Sequence, residues 1–284
     1  MPVTFGELST LTTPLSAARF WALLCGCITF SLAASTHEID AGTLHLNTFR
    51  LFCMTTWCSF FILTFFIVAI NFIQFHSLLP LSWKNLTATV AALGMLMTMA
   101  ATFAFPWIFT ENNPTPRHLT ATVASFLTSL GYMAELHLIR RQDAQQQRGY
   151  MASVPGLLKV LQVFGSCVAL VLLMAQSGME LWRVSVSAVI YSLCLAASLG
   201  TVLVMVGDCA GRCPVPFDRV LAGFSTLGVL LYMVVTVICI TALFGQQSDS
   251  AVMALMCEAV VASVTLLAFT VDMAYSVKML CDRH

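Results

Sequence analysis

A few charged side chains lie inside long apolar stretches of this sequence, where a charge is costly and is therefore a candidate for function. Arg19 and Lys159 lie near the starts of their stretches, and Glu135 and Asp272 lie within about two turns of the ends of theirs. Arg19 with Glu135, and Lys159 with Asp272, would make the same pairing twice. This repetition favours an intramembrane latch that holds neighbouring helices together.

The alternative use of the two acids is chemical. Carboxylates in a membrane can relay protons or cations, which would make the chain a small-solute or ion transporter or channel that uses Glu135 and Asp272. His137 and Glu258 are further ionisable residues that a polar pathway could use. A relay needs several acids at mid-depth, and the middle of the apolar stretches is nearly bare of them. The alternative stays open because a sequence gives no distances.

Three of the eleven cysteines are predicted to lie at the cytoplasmic face near helix ends: Cys209, Cys213 and Cys281. Cysteines in that position are either plain free thiols or sites of reversible palmitoylation. The first two resemble half of a zinc site, but no partner pair of His or Cys is nearby. The chain has no Gly-rich phosphate loop, HExxH or GxSxG motif, and its six histidines are scattered. We therefore predict no enzymatic activity, no cofactor and no metal site.

The elements that position these residues are eight long apolar stretches. A spanning helix needs roughly 20 mostly apolar residues, because the hydrocarbon core is about 30 Å thick and a helix rises about 1.5 Å per residue. Barrel strands would alternate polar and apolar residues, and these stretches do not. The sequence thus predicts an all-α membrane protein with eight transmembrane helices, approximately at residues 16–35, 51–72, 86–109, 119–139, 154–174, 184–206, 220–244 and 251–279.

Composition and charge support a membrane protein and set its orientation. Hydrophobic residues make up 59% and charged residues 9% of the 284 residues, against roughly 45–50% and 25% in a typical soluble domain. The net charge is zero, which gives no electrostatic case for nucleic acid. Suppose that both termini lie on one side of the membrane, together with every second polar segment between the apolar stretches. Three basic residues then lie on the opposite side: Arg50, Arg117 and Arg183. The other ten basic residues lie on the same side as the termini: Arg19, Lys84, Arg140, Arg141, Arg148, Lys159, Arg212, Arg219, Lys278 and Arg283. By the positive-inside rule, this excess predicts that both termini are cytoplasmic.

Landmark residues recur in the same order in the two halves of the chain. The matches, at shifts of 140, 134 and 137 residues, are Arg19 with Lys159, Trp57 with Tyr191, and Glu135 with Asp272. They predict a tandem duplication of a four-helix unit, with domains at residues 12–145 and 150–284. Four is an even number, so both copies are expected to start on the cytoplasmic side, in parallel orientation.

The duplication also bears on a rival interpretation, a receptor with seven mature spans. That receptor would arise if residues 16–35 formed a cleaved signal peptide, which needs positive charge at its front. Only Arg19 is available, at the edge of the apolar stretch. Because the matching stretch at 154–174 cannot be a signal peptide, we expect the first helix to be retained.

Three segments resemble the myeloid-associated differentiation marker family. Residues 149–160 read GYMASVPGLLKV, which is similar to the segment that opens the second half of that family. Residues 79–86, LPLSWKNL, and 214–219, PVPFDR, resemble corresponding loops of the two halves. The resemblance runs across nearly the whole chain. It implies two tandem MARVEL domains, which are four-helix modules of vesicle-trafficking and membrane-apposition proteins, and no enzymatic activity.

The resemblance also implies association with ordered, cholesterol-rich membrane regions and cell junctions. We expect a non-enzymatic multi-pass protein that organises membrane domains at the plasma membrane or in trafficking vesicles, with both termini cytoplasmic. Its expected partners are membrane lipids and other membrane proteins. Small residues four apart, Ala88 with Ala92 and Ala196 with Gly200, predict close helix packing within a unit or, as the open alternative, self-association.

Overall fold

The computed structural model describes the chain at residues 13–35, 44–73, 81–108, 116–145, 150–176, 180–207, 217–245 and 249–281. These residues form eight long helices: α1 (Pro14–Ser35), α2 (Leu44–Ile73), α3 (Trp83–Ile108), α4 (Pro116–Gln145), α5 (Val154–Ala175), α6 (Leu181–Val206), α7 (Phe217–Gly245) and α8 (Asp249–Cys281). A short 3-10 turn, Tyr150–Ala152, precedes α5. The described residues contain no strand, so the all-α prediction is confirmed.

Seven of the eight described helices have the length and apolar composition of membrane spans. The exception is α4, whose 30 residues are long enough but include the charged residues Arg117, Glu135, Arg140 and Arg141. The chain is therefore a multi-pass helical membrane protein. The count of eight spans stays a prediction.

Several helices extend beyond the apolar stretches from which they were predicted. Helix α2 begins at Leu44 instead of residue 51, and α4 ends at Gln145 instead of residue 139. A helix continues into polar residues because its backbone hydrogen bonds are internal, whereas a hydropathy pattern stops at the first polar residues. The longest helix, α8, has 33 residues and measures about 50 Å at about 1.5 Å per residue.

The chain divides into two compact units, Met1–Ala152 and Ser153–His284. In the first unit, α1 and α3 each pack against both α2 and α4. Helices α1 and α4 are antiparallel: Arg19 near the start of α1 contacts Glu135 toward the end of α4. Farther along α1, a Cβ placed on Gly26 would lie 3.7 Å from Cγ2 of Thr128. The two helices therefore run side by side over several turns.

In the second unit, α5 packs against α6 and α8, and α7 packs against α8 and, less extensively, against α6. Lys159 near the start of α5 contacts Asp272 toward the end of α8. Gln176, directly after α5, contacts Glu258 toward the start of α8. Helices α5 and α8 are therefore antiparallel neighbours along their length.

Each unit buries many small and hydroxyl-bearing side chains and also exposes many large apolar ones. Ala91, Ala101, Ser125, Ala169 and Ala262 are fully buried. The outward face of α7 carries exposed apolar residues, namely Phe224, Leu227, Leu230, Met233, Val234, Val237, Ile240 and Phe244. Lipid tails are as apolar as these side chains, so close packing of small residues holds the helices together in place of a hydrophobic driving force.

The two pairs of small residues behave differently. Ala88 and Ala92 are buried in the first unit, as predicted for close packing. Ala196 and Gly200 lie on the exposed face of α6, and a Cβ on Gly200 would meet no described atom within 4 Å. The prediction that this second pair packs within its unit is wrong, because a lipid-facing position tolerates small residues equally well. Self-association through that face stays a prediction.

Candidate functional site

Arg19 and Glu135 form a buried ion pair in the first unit. Arg19 Nε lies 2.6 Å from Glu135 Oε1, and each side chain is 3% exposed. Glu135 reaches α1 because it continues the buried face of α4, which carries Ser125, Thr128 and Tyr132 at helical spacing. The bond therefore joins the first and the last helix of this unit.

Lys159 and Asp272 form an ion pair in the second unit, with Lys159 Nζ 2.5 Å from Asp272 Oδ2. The same carboxylate oxygen accepts hydrogen bonds from Gln162 Nε2 at 3.1 Å and from the hydroxyl of Ser225. Lys159 Nζ also donates to Ser225 Oγ at 3.2 Å. Hydrogen bonds to ionised groups are roughly twice as strong as neutral ones. A single carboxylate thus connects α5, α7 and α8.

The structure brings the four predicted latch residues together in these two pairs, and their role as a latch stays a prediction. Sequence reasoning missed Gln162 and Ser225. Gln162 lies three residues after Lys159, on the same face of a helix, and this spacing is the signal that could have found it. Ser225 carried no such signal, because a serine in an apolar helix is common.

The other ionisable residues of the predicted polar pathway do not join these pairs. His137 is exposed on α4, whereas Glu135, two residues earlier, is buried. Glu258 lies 14 residues before Asp272 on α8, which separates the two acids by about 21 Å along the helix. Within the second unit, Glu258 and Asp272 therefore occupy separate sites instead of following one path.

Glu258 forms a second polar centre in the second unit; sequence reasoning named this acid but missed its partners. Its side chain is fully buried, and its Oε2 accepts a hydrogen bond from Gln176 Nε2 at 2.6 Å. Its Oε1 accepts from the Tyr191 hydroxyl at 2.9 Å and from the Cys239 thiol at 3.4 Å. These donors come from the end of α5, from α6 and from α7. Glu258 therefore connects α8 to the three other helices of its unit.

Neutral hydrogen bonds hold the interior of the first unit. Trp57 Nε1 donates to Ser125 Oγ at 3.0 Å, and the Ser125 and Thr102 hydroxyls lie 2.7 Å apart. The Tyr132 and Thr64 hydroxyls also lie 2.7 Å apart. Trp57 and Tyr191, which match each other in the two halves of the sequence, are both fully buried. Each donates a hydrogen bond to the last helix of its own unit, Trp57 to α4 and Tyr191 to α8.

The cysteines show no metal or disulfide chemistry where the structure describes them. Cys281 is an exposed free thiol at the end of α8. The other two predicted palmitoylation sites, Cys209 and Cys213, lie outside the described residues. Within the described part of the chain, no group of three or more His, Cys, Asp or Glu residues could hold a metal ion.

Long apolar helices joined by buried polar bonds define this chain as a multi-pass helical membrane protein. It is 33% identical to the myeloid-associated differentiation marker-like protein 2 of Rattus norvegicus, over 95% of this chain and 93% of that protein. It is therefore a member of the myeloid-associated differentiation marker family, and the resemblance seen in its sequence is confirmed.

Two further relatives extend the comparison to other vertebrates. The Homo sapiens protein of the same name as the rat relative is 32% identical, over 95% of this chain and 93% of that protein. The myeloid-associated differentiation marker homolog of Xenopus laevis is 29% identical, over 97% of this chain and 95% of that protein. These names are names of marker proteins, not of enzymes. No protein-family profile and no solved structure matches the chain.

Proposed function

We propose that the chain crosses the membrane eight times, as two tandem four-helix MARVEL-like bundles at residues 12–145 and 150–284, in parallel orientation. Helix α4 decides the count, because it is the described helix whose overall composition falls short of a span. Four polar residues between its ends are buried, namely Ser125, Thr128, Ser129 and Glu135. Its exposed face carries large apolar residues, namely Leu119, Val123, Phe126 and Met133. Lipid would therefore meet an apolar surface.

The neighbour of α4 supports the same count. Helix α1 has the composition of a span, and α4 runs antiparallel beside it from the Arg19–Glu135 bond to the Gly26–Thr128 contact. A helix packed along a spanning helix shares its depth in the bilayer. The low apolar content of α4 arises in part from polar side chains that are buried and hydrogen-bonded. Such side chains do not meet lipid, so they do not oppose insertion of the assembled unit.

The basic residues support cytoplasmic termini. Arg19 and Lys159 are buried in ion pairs and do not count as loop charges. Without these two, eight of the ten basic residues remain on the predicted cytoplasmic side, against three on the other. The bias therefore persists in the direction that the positive-inside rule requires.

Epitope tags test this topology. Tags at Met1, at His284 and at residue 147, between α4 and α5, are expected to bind antibody only after the plasma membrane is permeabilised. A tag at residue 178, between α5 and α6, is expected to bind antibody on intact cells and is the matched control. Staining of the residue 147 tag on intact cells would show that α4 does not cross, and would contradict the eight-span arrangement.

We propose further that the protein organises ordered, cholesterol-rich membrane domains at the plasma membrane or in trafficking vesicles, without enzymatic activity, through helix–lipid and helix–helix contacts. The observation that supports this role is the distribution of side chains. Large apolar residues cover the outside, whereas the buried acids are bonded inside each unit. The surface that meets other molecules within the bilayer is therefore a broad apolar one.

The length of the helices predicts a preference for bilayers of a particular thickness. The apolar spans of α2, α3, α6, α7 and α8 have 28, 26, 26, 26 and 28 residues, whereas those of α1 and α5 have 22. At about 1.5 Å per residue the five longer spans measure about 39–42 Å, against a hydrocarbon core of about 30 Å. Tilting absorbs part of the excess, and a thicker, ordered bilayer absorbs more of it. The free energy of the protein in lipid is therefore expected to favour the thicker phase.

Phase-separated giant vesicles test this preference. Fluorescently labelled protein is expected to concentrate at least about twofold in the thick phase, because mismatch costs fractions of a kcal/mol per Å. Confocal microscopy measures the fluorescence per area of each phase. The control is the same protein in vesicles whose lipids have one acyl-chain length. An equal distribution between thick and thin phases would rule out length matching.

The contacts of the two acids weigh against the alternative role in transport. Glu135 and Asp272 each bond directly to a basic partner, and neither side chain is more than 3% exposed. A relay needs carboxylates that are free to exchange protons or cations. Direct ion pairs that join the first and last helices of a unit fit the latch better.

Acylation is a proposed aid to domain association. Cys281 is exposed at the end of α8, near Lys278, where a thiol meets the membrane surface. Each buried CH₂ of an acyl chain adds about 0.8 kcal/mol of membrane affinity. Because the helices already anchor the protein, an acyl chain at Cys281, Cys209 or Cys213 would adjust the protein's preference among membrane domains.

A further inference from the structure

We propose that a slot between α6 and α7 of the second unit binds a membrane sterol. The inference rests on the proposed role in ordered membranes, and it adds a lipid class and a site. The slot encloses about 310 Å³, and small-molecule sites range over about 300–1,000 Å³. Its walls are mostly apolar and include Leu193, Phe224, Leu227, Leu231 and Phe269.

The slot is present because a large side chain of the first unit has a small counterpart in the second. In the first unit, Phe60 lies edge-on to Tyr132, with ring centroids 6.1 Å apart, and both rings cover Gly94. At the shift of 134 residues between the halves, Phe60 corresponds to Cys194 and Gly94 to Gly228. Cys194 and Gly228 both line the slot. The space of one aromatic ring is therefore left open.

Small residues on the walls of this space leave room for a rigid occupant. The Phe269 ring lies so close to Gly228 that a Cβ there would overlap it. Ala196 and Ala197 line the slot with small side chains on α6. A rigid ring system buries its area at a low cost in conformational entropy, whereas a flexible acyl chain loses torsional freedom on binding. Fused sterol rings are the rigid, flat bodies of a bilayer.

One residue that lines the slot has a buried polar atom without a partner among the described residues. Gln162 is fully buried and lines the slot, and its Nε2 donates to Asp272. Its Oε1 accepts no hydrogen bond in the described part of the chain. A buried acceptor in this state costs about 1–3 kcal/mol. One hydroxyl donor would satisfy it, and a sterol carries a single hydroxyl on an apolar body.

The slot has a polar end and an apolar end, in the order in which a lipid of one leaflet has its polar group and its apolar body. Lys159, Gln162 and Thr201 lie toward the end where α5 begins and α6 ends. Leu193 and Leu231 lie farther from that end, near the middle of α6 and α7. In the proposed topology, the polar end faces the cytoplasmic leaflet and the apolar end faces the middle of the bilayer. A sterol therefore enters sideways between α6 and α7, with its hydroxyl toward Gln162.

Photolabelling of the full-length protein in vesicles tests the site. A cholesterol analogue with a diazirine on its rings is expected to label peptides of α6 and α7, and unlabelled cholesterol is expected to compete. Cys194→Phe copies the Phe60 side chain of the first unit and is expected to lower labelling at least about tenfold, a change of about 1.4 kcal/mol. Cys27→Phe makes the same change at an exposed position of α1 and is expected to leave labelling unchanged.

A second blocking variant and a stability measurement keep the test decisive. Ala197→Phe is expected to block the slot one turn farther along α6, and cholesterol is expected to raise the Tm of the wild type but of neither blocking variant. Labels mapped outside α6 and α7 in the wild type would overturn the proposal, and so would labelling that persists in both variants. An equal rise in Tm with oleic acid would identify an acyl-chain slot and overturn it as well.

The outcome for the sterol site is distinguishable from the outcome for the proposed function. Preference for the thick phase without labelling of α6 and α7 contradicts the sterol site alone. Labelling of α6 and α7 without preference for the thick phase contradicts length matching and leaves the sterol site supported.

Discussion

Replacing Glu135 by Leu is expected to lower the free energy of unfolding by about 3–5 kcal/mol, because Arg19 would stay buried without its partner carboxylate. Adding Arg19→Met is expected to recover most of this loss, since apolar residues of similar volume often replace a buried ion pair at little cost. Thermal unfolding in detergent and delivery to the cell surface measure the effect. Comparing the single with the double variant distinguishes the cost of a buried, unpaired Arg19 from the loss of the Arg19–Glu135 bond itself.

An exposed ion pair of the same protein provides the matched control. Glu180 lies 3.5 Å from Arg183, and its side chain is 66% exposed. Glu180→Gln is expected to change stability by less than about 1 kcal/mol, because surface ion pairs contribute little. If Glu135→Leu had no larger effect than this control, the latch would be refuted. Normal delivery with loss of a proton or cation flux would favour a relay instead.

Gly165→Val is expected to destabilise the second unit by about 1–3 kcal/mol, because extra atoms in a tightly packed interface force neighbouring groups apart. A Cβ on Gly165 would overlap the Thr265 hydroxyl of α8. Valine would therefore push α5 away from α8 and weaken the contact between Lys159 and Asp272. Thermal unfolding in detergent gives the magnitude.

Gly200 provides the control for the glycine substitution. A Cβ there would meet no described atom within 4 Å, so Gly200→Val is expected to fold as the wild type does. The alanine variants are expected to differ in sign: Gly165→Ala loses stability, whereas Gly200→Ala gains up to about 1 kcal/mol from helix propensity. Equal effects at the two positions would show that α5 and α8 do not approach closely.

Hydropathy predicted the eight helices because each contains a long apolar stretch, but it could not predict their ends. The first turns of α2 and the last turns of α4 are polar enough to look like loops. Helix α4 also shows what an average over composition leaves out. Four of its polar residues belong to the interior of the unit, namely Ser125, Thr128, Ser129 and Glu135. An average over the helix counts them as if they faced lipid.

The pairing of Arg19 with Glu135 could be predicted because charges in apolar stretches are few and recur in both halves. The contacts of Glu258 could not, because Gln176, Tyr191 and Cys239 are ordinary residues of apolar helices. Which of them face inward depends on the rotation of each helix about its axis. A helix that is apolar on all sides carries almost no amphipathic signal for that rotation, and the wrong prediction for Gly200 has the same origin.

The inward polarity of α4 has a consequence for biosynthesis. Glu135 is made 116 residues after Arg19, and at about 5–20 residues per second this takes roughly 6–23 seconds. During that interval α1 holds an uncompensated guanidinium near the insertion machinery, and α4 arrives too polar to enter lipid easily by itself. Release of α1 into the bilayer is therefore expected to wait for α4, so that the unit leaves the translocon as an assembled whole.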